Sequence, residues 1–188
     1  MRIAIDIDST LHEYWDQFRS VARRRFAVDL RYEDQLTWGV TQLRPEQTAE
    51  LVRETHLPHN VLAAVPYPGA VEVVRSWHEQ GHYIHITSHR AHAAHAATAQ
   101  WLERIGLPCD DLHCSYDKIA RCSELGIELL IDDSPVNIER ALAAGIGVAT
   151  IVHPWNRELC EAHDVVSAPD WPTLARRLEP LLSGRRAA

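Results

Sequence analysis

The chain has 188 residues, 46% of them apolar and 24% charged, with a formal net charge of −7. This composition is ordinary for a globular protein with a proper core, and the acidic balance excludes a surface built to coat nucleic acid polymers. No apolar run reaches the length of a membrane span. Cys109, Cys114, Cys122 and Cys160 form no C-x-x-C pair, so they read as free thiols in a reducing cytoplasm.

The chain enters a strand almost at once, with no signal-peptide pattern. Arg2-Ile3-Ala4-Ile5-Asp6-Ile7-Asp8 is apolar and ends in two carboxylates two residues apart. Side chains alternate along a strand, so Asp6 and Asp8 are expected on one side and Ile3, Ile5 and Ile7 on the other. After Thr10 the spacing of Leu11, Trp15, Phe18, Val21, Ala22 and Phe26 becomes helical, and the Arg23–Arg25 run reads as a solvated face of that helix. A polar stretch from Asp29 to Gly39 leads to a second amphipathic helix from Pro45 to about His56; Pro58, Pro66 and Pro68 mark an exit loop. Residues of roughly 12 to 67 thus form a helical insertion without a strand of its own.

From Gly69 strand and helix alternate. A helix carrying Val71, Val74 and Trp77 stops at Gly81, and Tyr83–Ser88 is a strand. An alanine-rich helix covers Ala91 to Ile105. A short strand near Leu112–Ser115 precedes a helix containing Lys118. Glu128–Ile131 is a buried strand running into Asp132-Asp133. A helix from Pro135 to Ala144, a strand Gly147–Val152, a short one at Val165–Val166, a helix Pro172–Leu182 and an Arg/Ala tail complete the chain. Trp77, Trp101 and Trp171 read as helix-to-sheet packing residues. The alternation predicts an α/β, three-layer, Rossmann-like parallel sheet.

In such a sheet the strand ends share one edge, where ligands bind. Three of them are polar: Asp6/Asp8, Thr87/Ser88 and Asp132/Asp133; Asp117-Lys118 opens a helix at the same edge. Lys118 is the one lysine beside 18 arginines, and a compact ammonium differs from a planar guanidinium where a phosphate or carboxylate must be approached closely. Clustered carboxylates suit Mg²⁺, and Lys118 with the Thr87 hydroxyl suits phosphate oxygens. Each motif also has a local reading: Ser88, Asp133 and Ser134 can cap helices. His85, His89, His92 and His95 lack an interleaved carboxylate or cysteine and read as a polar stretch near the site mouth. Arg90 is the better fork donor to a substrate phosphate.

Four elements in order, Asp6–Thr10, Thr87, Lys118 and Asp132-Asp133, resemble the haloacid dehalogenase superfamily of phosphatases over residues 3 to about 152. The insertion resembles the cap of the 5′(3′)-deoxyribonucleotidases and related bacterial nucleotidases, through Tyr14-Trp15, Trp38-Gly39-Val40, Pro68-Gly69-Ala70 and Leu130–Pro135. Ser9 replaces the commoner glycine, and Tyr116 stands near where nucleotidases often have an arginine. The resemblance implies a core of residues 1–11 and 68–188 with a cap at 12–67. It implies a Mg²⁺-dependent phosphomonoesterase for a small phosphorylated metabolite, a nucleotide above all. Asp6 would be the nucleophile, Asp8 the acid and base, and Thr87 and Lys118 phosphoryl ligands. The metal would be held by Asp6, the Asp8 carbonyl, Asp132 and Asp133. Substrate contacts would come from Thr10, Trp38, Ser88 and Arg90. A phosphatase for a sugar phosphate and a non-catalytic phosphoryl-binding protein are the alternatives.

Overall fold

The structure, a computed structural model, describes residues 1–163 and 165–184; the Arg/Ala tail at 185–188 lies outside them. Six parallel strands form one sheet: β1 (Arg2–Asp6), β2 (Tyr83–Ser88), β3 (Asp111–Cys114), β4 (Leu129–Ile131), β5 (Gly147–Ile151) and β6 (Val166–Ala168), in the order β3-β2-β1-β4-β5-β6. β1 therefore lies mid-sheet, beside the point where the strand order reverses.

Two apolar layers sandwich the sheet, as its strand alternation requires. Ile3, Ile5, Ile84, Ile86 and Ile131 face α4 (Ala70–Glu79), α5 (His95–Ile105) and α9 (Trp171–Leu182), with Trp77, Trp101 and Trp171 buried among them. Ala4, Leu130 and Val148 face α6 (Lys118–Glu124) and α7 (Pro135–Ala143). The insertion contributes α1 (Tyr14–Phe26), a single 3-10 turn at Tyr32–Asp34, α2 (Pro45–Thr55) and α3 (Pro58–Leu62). It has its own small core of Phe18, Val21, Ala22, Leu30, Leu43 and Leu51. The chain re-enters the sheet layer at Gly69, whose φ of +80° favours glycine and where a Cβ would come within 3.0 Å of the Pro172 ring.

Some local expectations change. Pro58 does not sit in a loop; it takes the first position of α3, where its missing N–H costs nothing. The alanine-rich segment starts with a 3-10 turn, His92–Ala94, before α5 begins. The short α8 (Arg157–Ala162) has no strong apolar period, and none of its residues is fully buried, so no periodicity marks it. Arg23–Arg25 is a solvated face as expected, but a paired one: Arg23 pairs with Asp29, and Arg24 and Arg25 reach Glu50 and Glu54 of α2, linking the two insertion helices.

Candidate active site

Register brings the polar strand ends together. Asp6 lies opposite Thr87 across the β1–β2 pair, and Ile5 opposite Ile131 across β1–β4, which places Asp132 beside Asp6. Lys118, at the first position of α6, enters between them. Its Nζ donates to Asp6 Oδ1 and Asp132 Oδ2, each at 2.6 Å, with the side chain almost wholly buried. Burial alone would discharge this amine; the charges of Asp132 and Asp6 outweigh it and hold the ammonium above its ordinary range. Asp132 is also fixed by the Ser134 backbone N–H (2.9 Å) and by Asn137 Nδ2 (3.1 and 3.0 Å). Ser134 caps α7, accepting from the Asn137 backbone N–H.

Asp6, Asp132 and Asp133 each offer an oxygen within 4.8 Å of the others, all buried, and no other such cluster exists among the described residues. One ammonium cannot balance three carboxylates. Burial, with the neighbouring carboxylates adding, pushes Asp6 up to about 7 and Asp133 well above the carboxylate range. This deficit of positive charge, the all-oxygen donor set and the size of the cluster fit a hard divalent cation. Thr87 Oγ1 is buried beside the cluster with no hydrogen-bond partner among the described residues, as an atom waiting for a ligand oxygen would be.

Asp8 keeps to the expected side, lining one cavity with Asp6 while Ile7 joins Ile3 and Ile5 in the core, but it lies beyond the strand. β1 ends at Asp6, and the chain turns through Ser9 at φ +63°, with the amides of Thr10, Leu11 and His12 all donating to the Ile7 carbonyl. Asp8 therefore belongs to a loop and takes different partners. Arg90 Nη2 donates to its Oδ1 (2.6 Å) and Arg90 Nε to its Oδ2 (3.1 Å). His12 Nδ1 lies 3.3 Å from Oδ1 and His56 Nε2 3.2 Å from Oδ2. Burial favours the neutral acid, yet the Arg90 charge and the two histidines hold Asp8 well below the usual carboxylate range. In this arrangement Asp8 is held ionised; carrying a proton requires that it loosen its contacts with Arg90.

Three expected substrate contacts are corrected by this geometry. Arg90 is buried, with its fork on Asp8 and Nη1 on Thr98 Oγ1 (3.2 Å), so its donors are turned to the protein. Ser88 is fully buried, its Oγ accepting from the Arg90 backbone N–H at 3.3 Å. Thr10 is turned inward by the loop and donates to Asp133 Oδ1 at 3.3 Å. Trp38 does face open space, half-exposed on the insertion side. Of the four histidines, His89 lines the polar cavity, His85 is buried in the sheet with Nδ1 3.1 Å from Asp111 Oδ2, and His92 and His95 sit ring to ring at 5.9 Å.

Two contiguous cavities meet over these groups. A polar one of about 170 Å³ is lined by Asp6, Asp8, Lys118, Asp132 and Asp133. An aromatic one of about 390 Å³, between insertion and core, is lined by Tyr14, Trp15, Phe18, Trp38, Val40 and Trp155 among others. Asp8, Tyr14, Trp38, Val52 and Asp133 border both. Buried Gln35 donates to the carbonyls of Thr37 and Gly39 and so pins the loop that carries Trp38.

The sequence reading missed the segment after β5, His153-Pro154-Trp155-Asn156. His153 Nε2–H donates to the Ser9 carbonyl (2.7 Å), and its Nδ1 accepts from Tyr32 of the insertion (2.7 Å). Burial keeps the imidazole neutral, with its pKa near 4. Trp155 and Asn156 hold Asp133. The signal was present: β5 is a fourth buried strand ending in polar and aromatic residues at the ligand edge. His12 and His56, by contrast, lie in no strand-end pattern.

A parallel sheet with this ordered set of strand-end acids, a threonine and one buried lysine defines a haloacid dehalogenase-type phosphatase, a hydrolase of phosphoric monoesters. The chain belongs to the 5′ nucleotidase, deoxy (pyrimidine), cytosolic type C protein (NT5C) family, whose profile matches residues 1–176. No curated protein matches it at a significant level. Solved structures share the fold. A haloacid dehalogenase-like hydrolase from Streptococcus pneumoniae has 14% identity over 97% of both chains, with TM-score 0.65. A hydrolase of the same superfamily from Deinococcus radiodurans, holding phosphate and sodium, has 16% identity over 98% of this chain and 95% of its own, with TM-score 0.64. A predicted phosphoglycolate phosphatase from Haemophilus somnus has 15% identity over 96% and 97%, with TM-score 0.63.

Proposed function

We propose that the protein is a Mg²⁺-dependent 5′-nucleotidase that hydrolyses nucleoside monophosphates, with residues 12–67 acting as a cap over a core of residues 1–11 and 68–188. One observation carries the reading: a small polar cavity of about 170 Å³ at the carboxylates opens into an aromatic cavity of about 390 Å³. The first suits a phosphate and the second a planar base with its sugar. Membership of the nucleotidase family and the phosphate bound in the Deinococcus radiodurans structure support it. The four cysteines, all unpaired, suit a cytoplasmic setting.

In this reading an Asp6 oxygen attacks phosphorus, an Asp6–phosphoryl bond forms and the bond to the nucleoside oxygen breaks. The leaving oxygen takes a proton from Asp8, and Asp8 then takes one from the water that cleaves the aspartyl-phosphate and frees phosphate. Asp8 must shed its contacts with Arg90 for the first half and regain them for the second. Lys118 and Thr87 hold the phosphoryl oxygens. Asp6, the Asp8 carbonyl, Asp132 and Asp133 would hold Mg²⁺, which supplies charge neutralisation at the phosphoryl group.

The test is turnover of deoxynucleoside, ribonucleoside and sugar monophosphates with Mg²⁺, with Asp6→Asn as control. The expected result is preference for nucleotides and a loss of several orders of magnitude in kcat for the variant. Preference for sugar phosphates would overturn the substrate assignment. Absence of turnover on every substrate would make the protein a phosphoryl binder.

A further inference from the structure

The segment after β5 grips Asp133 twice. Trp155 Nε1–H donates to its Oδ2 at 3.1 Å, and Asn156 Nδ2 donates to its backbone carbonyl at 3.1 Å. The segment is itself fixed. Asn156 Oδ1 accepts from the His153 backbone N–H (2.8 Å), and Asn156 Nδ2 also reaches the Ile151 carbonyl (3.0 Å). The Trp155 indole lies flat on the His153 imidazole, with centroids 4.5 Å apart and planes 4° from parallel. His153 in turn is held between Ser9 of the loop after β1 and Tyr32 of the insertion. A side chain stacked and bonded in this way has little freedom, so its N–H is a preorganised donor.

We propose that Trp155 is a positioning residue for the metal cluster: its indole N–H fixes the Asp133 carboxylate and so sets the affinity of the cluster for a divalent cation. Two hydrogen bonds select the carboxylate's orientation, from Trp155 to Oδ2 and from Thr10 to Oδ1. Thr10 is the longer of the two, at 3.3 Å. Without Trp155 the carboxylate would be free to rotate in a buried, electron-rich site. Partners of this kind commonly change metal affinity by about ten- to a hundredfold when removed. The same indole forms part of the wall of the aromatic cavity. A residue serving only as that wall would tolerate phenylalanine; one serving Asp133 would not.

This inference rests on the metal reading above. The experiment is calorimetric titration of the full chain with Mg²⁺ alone, comparing the parent with Trp155→Phe, which keeps an aromatic ring and loses the donor. We expect about tenfold weaker Mg²⁺ binding by the variant. We also expect a matching rise in the Mg²⁺ concentration that gives half-maximal turnover of p-nitrophenyl phosphate. Equal Mg²⁺ affinity in parent and variant overturns the inference alone; no Mg²⁺ binding by the parent overturns the metal reading and the inference with it. Should Trp155→Phe fail to fold, the parent answers the same question. Among the indole N–H resonances of its six tryptophans, that of Trp155 should shift most on adding Mg²⁺. An unmoved Trp155 resonance beside others that shift overturns the inference.

Discussion

Arg90 and Asp8 form a two-point pair in which the guanidinium Nη2 and Nε face the two carboxylate oxygens, at 2.6 and 3.1 Å. The arginine is 1% exposed, so the pair is an internal device of the site. It explains why Asp8 is held as a carboxylate although it is only 18% exposed. Asp6 has no such partner beyond Lys118 and is pushed the other way. Two aspartates two residues apart are thereby driven in opposite directions by their different partners.

Asp8→Asn should therefore cost most where a proton is needed most. On substrates with poor leaving groups the loss in kcat should be roughly two to four decades. On p-nitrophenyl phosphate, whose leaving group needs little protonation, it should be smaller. Steady-state kinetics on both substrates checks this; equal losses would remove Asp8 from the proton-transfer role.

The same pair is testable by stability. Arg90→Met leaves Asp8 without its main counter-charge in a site where the carboxylate is 18% exposed. Breaking a buried pair from one side typically costs about 3–5 kcal/mol. Adding Asp8→Asn removes the stranded charge, so the double variant should recover at least about 1 kcal/mol. Urea denaturation of the four proteins gives the cycle. Strict additivity would show that the pair contributes nothing.

Much of this site could be read from the chain because strand alternation and parallel register are local rules with global consequences. Asp6, Thr87 and Asp132 are neighbours because β2, β1 and β4 are neighbours, and Lys118 joins them from the start of a helix at the same edge. Asp8 does share a cavity with Asp6, but β1 ends two residues earlier and Ser9 turns the chain with positive φ, so strand register does not set its partners. Arg90, Ser88 and Thr10 carry the right chemistry at the right edge, but their partners are set by packing distant in sequence. Nothing local says that Arg90 will meet Asp8. His56 and Tyr32 reach the site from the insertion, where no sheet register constrains them.

Metal removal should show a pH-dependent loss of stability. The folded-state pKa of Asp6 is raised from 3.8 to about 7. The unfolded chain thus ionises first as pH rises, and stability falls between about pH 4 and 7. Asp8, shifted the other way, contributes stability that is lost only as pH falls below the ordinary carboxylate range. Buried His153, its pKa held at about 4, acts in the opposite sense over this range, so Asp6 is read as a difference: between pH 5 and 7.5 the EDTA-treated parent should gain less melting temperature, or lose more, than EDTA-treated Asp6→Asn. Mg²⁺ at about 100 times its Kd should add about 2.7 kcal/mol, or roughly 5–10 °C. The gain should be larger at pH 7.5. Ca²⁺ should stabilise yet support turnover poorly, because its longer and more flexible coordination misplaces the nucleophile. Thermal melts at the two pH values decide; a Mg²⁺ effect independent of pH would mean that Asp6 is not beside the ion.

Trp38 tests the aromatic cavity. It is half-exposed, borders both cavities and leans on Trp155 with ring centroids 6.4 Å apart. Base stacking on an aromatic side chain is worth about 1–3 kcal/mol, and a half-exposed indole belongs at the lower end. Trp38→Ala should raise KM for nucleoside monophosphates by about fivefold, the equivalent of ~1 kcal/mol. Turnover of p-nitrophenyl phosphate should hardly change. Parallel losses on both substrates would instead make Trp38 a residue that holds the insertion in place.

Lys118→Arg is the sharpest test of the charge arrangement, because it keeps the charge and alters only its shape. The ammonium reaches Asp6 and Asp132 at 2.6 Å each while the side chain is 1% exposed. A guanidinium is wider, with its donors in one plane, and cannot bring one point charge equally close to both carboxylates in that space. A misplacement of about 1 Å at a reacting centre can cost roughly a hundredfold. Lys118→Arg should therefore lower kcat/KM at least about tenfold, or ~1.4 kcal/mol of transition-state stabilisation. Lys118→Met should fall further, since it leaves Asp6, Asp132 and Asp133 without their ammonium. Thermal melts run alongside would separate misfolding from lost chemistry. If a folded Lys118→Arg turns over as fast as the parent, the site needs only a positive charge, and the lone lysine of this arginine-rich chain has no catalytic reason to be lysine.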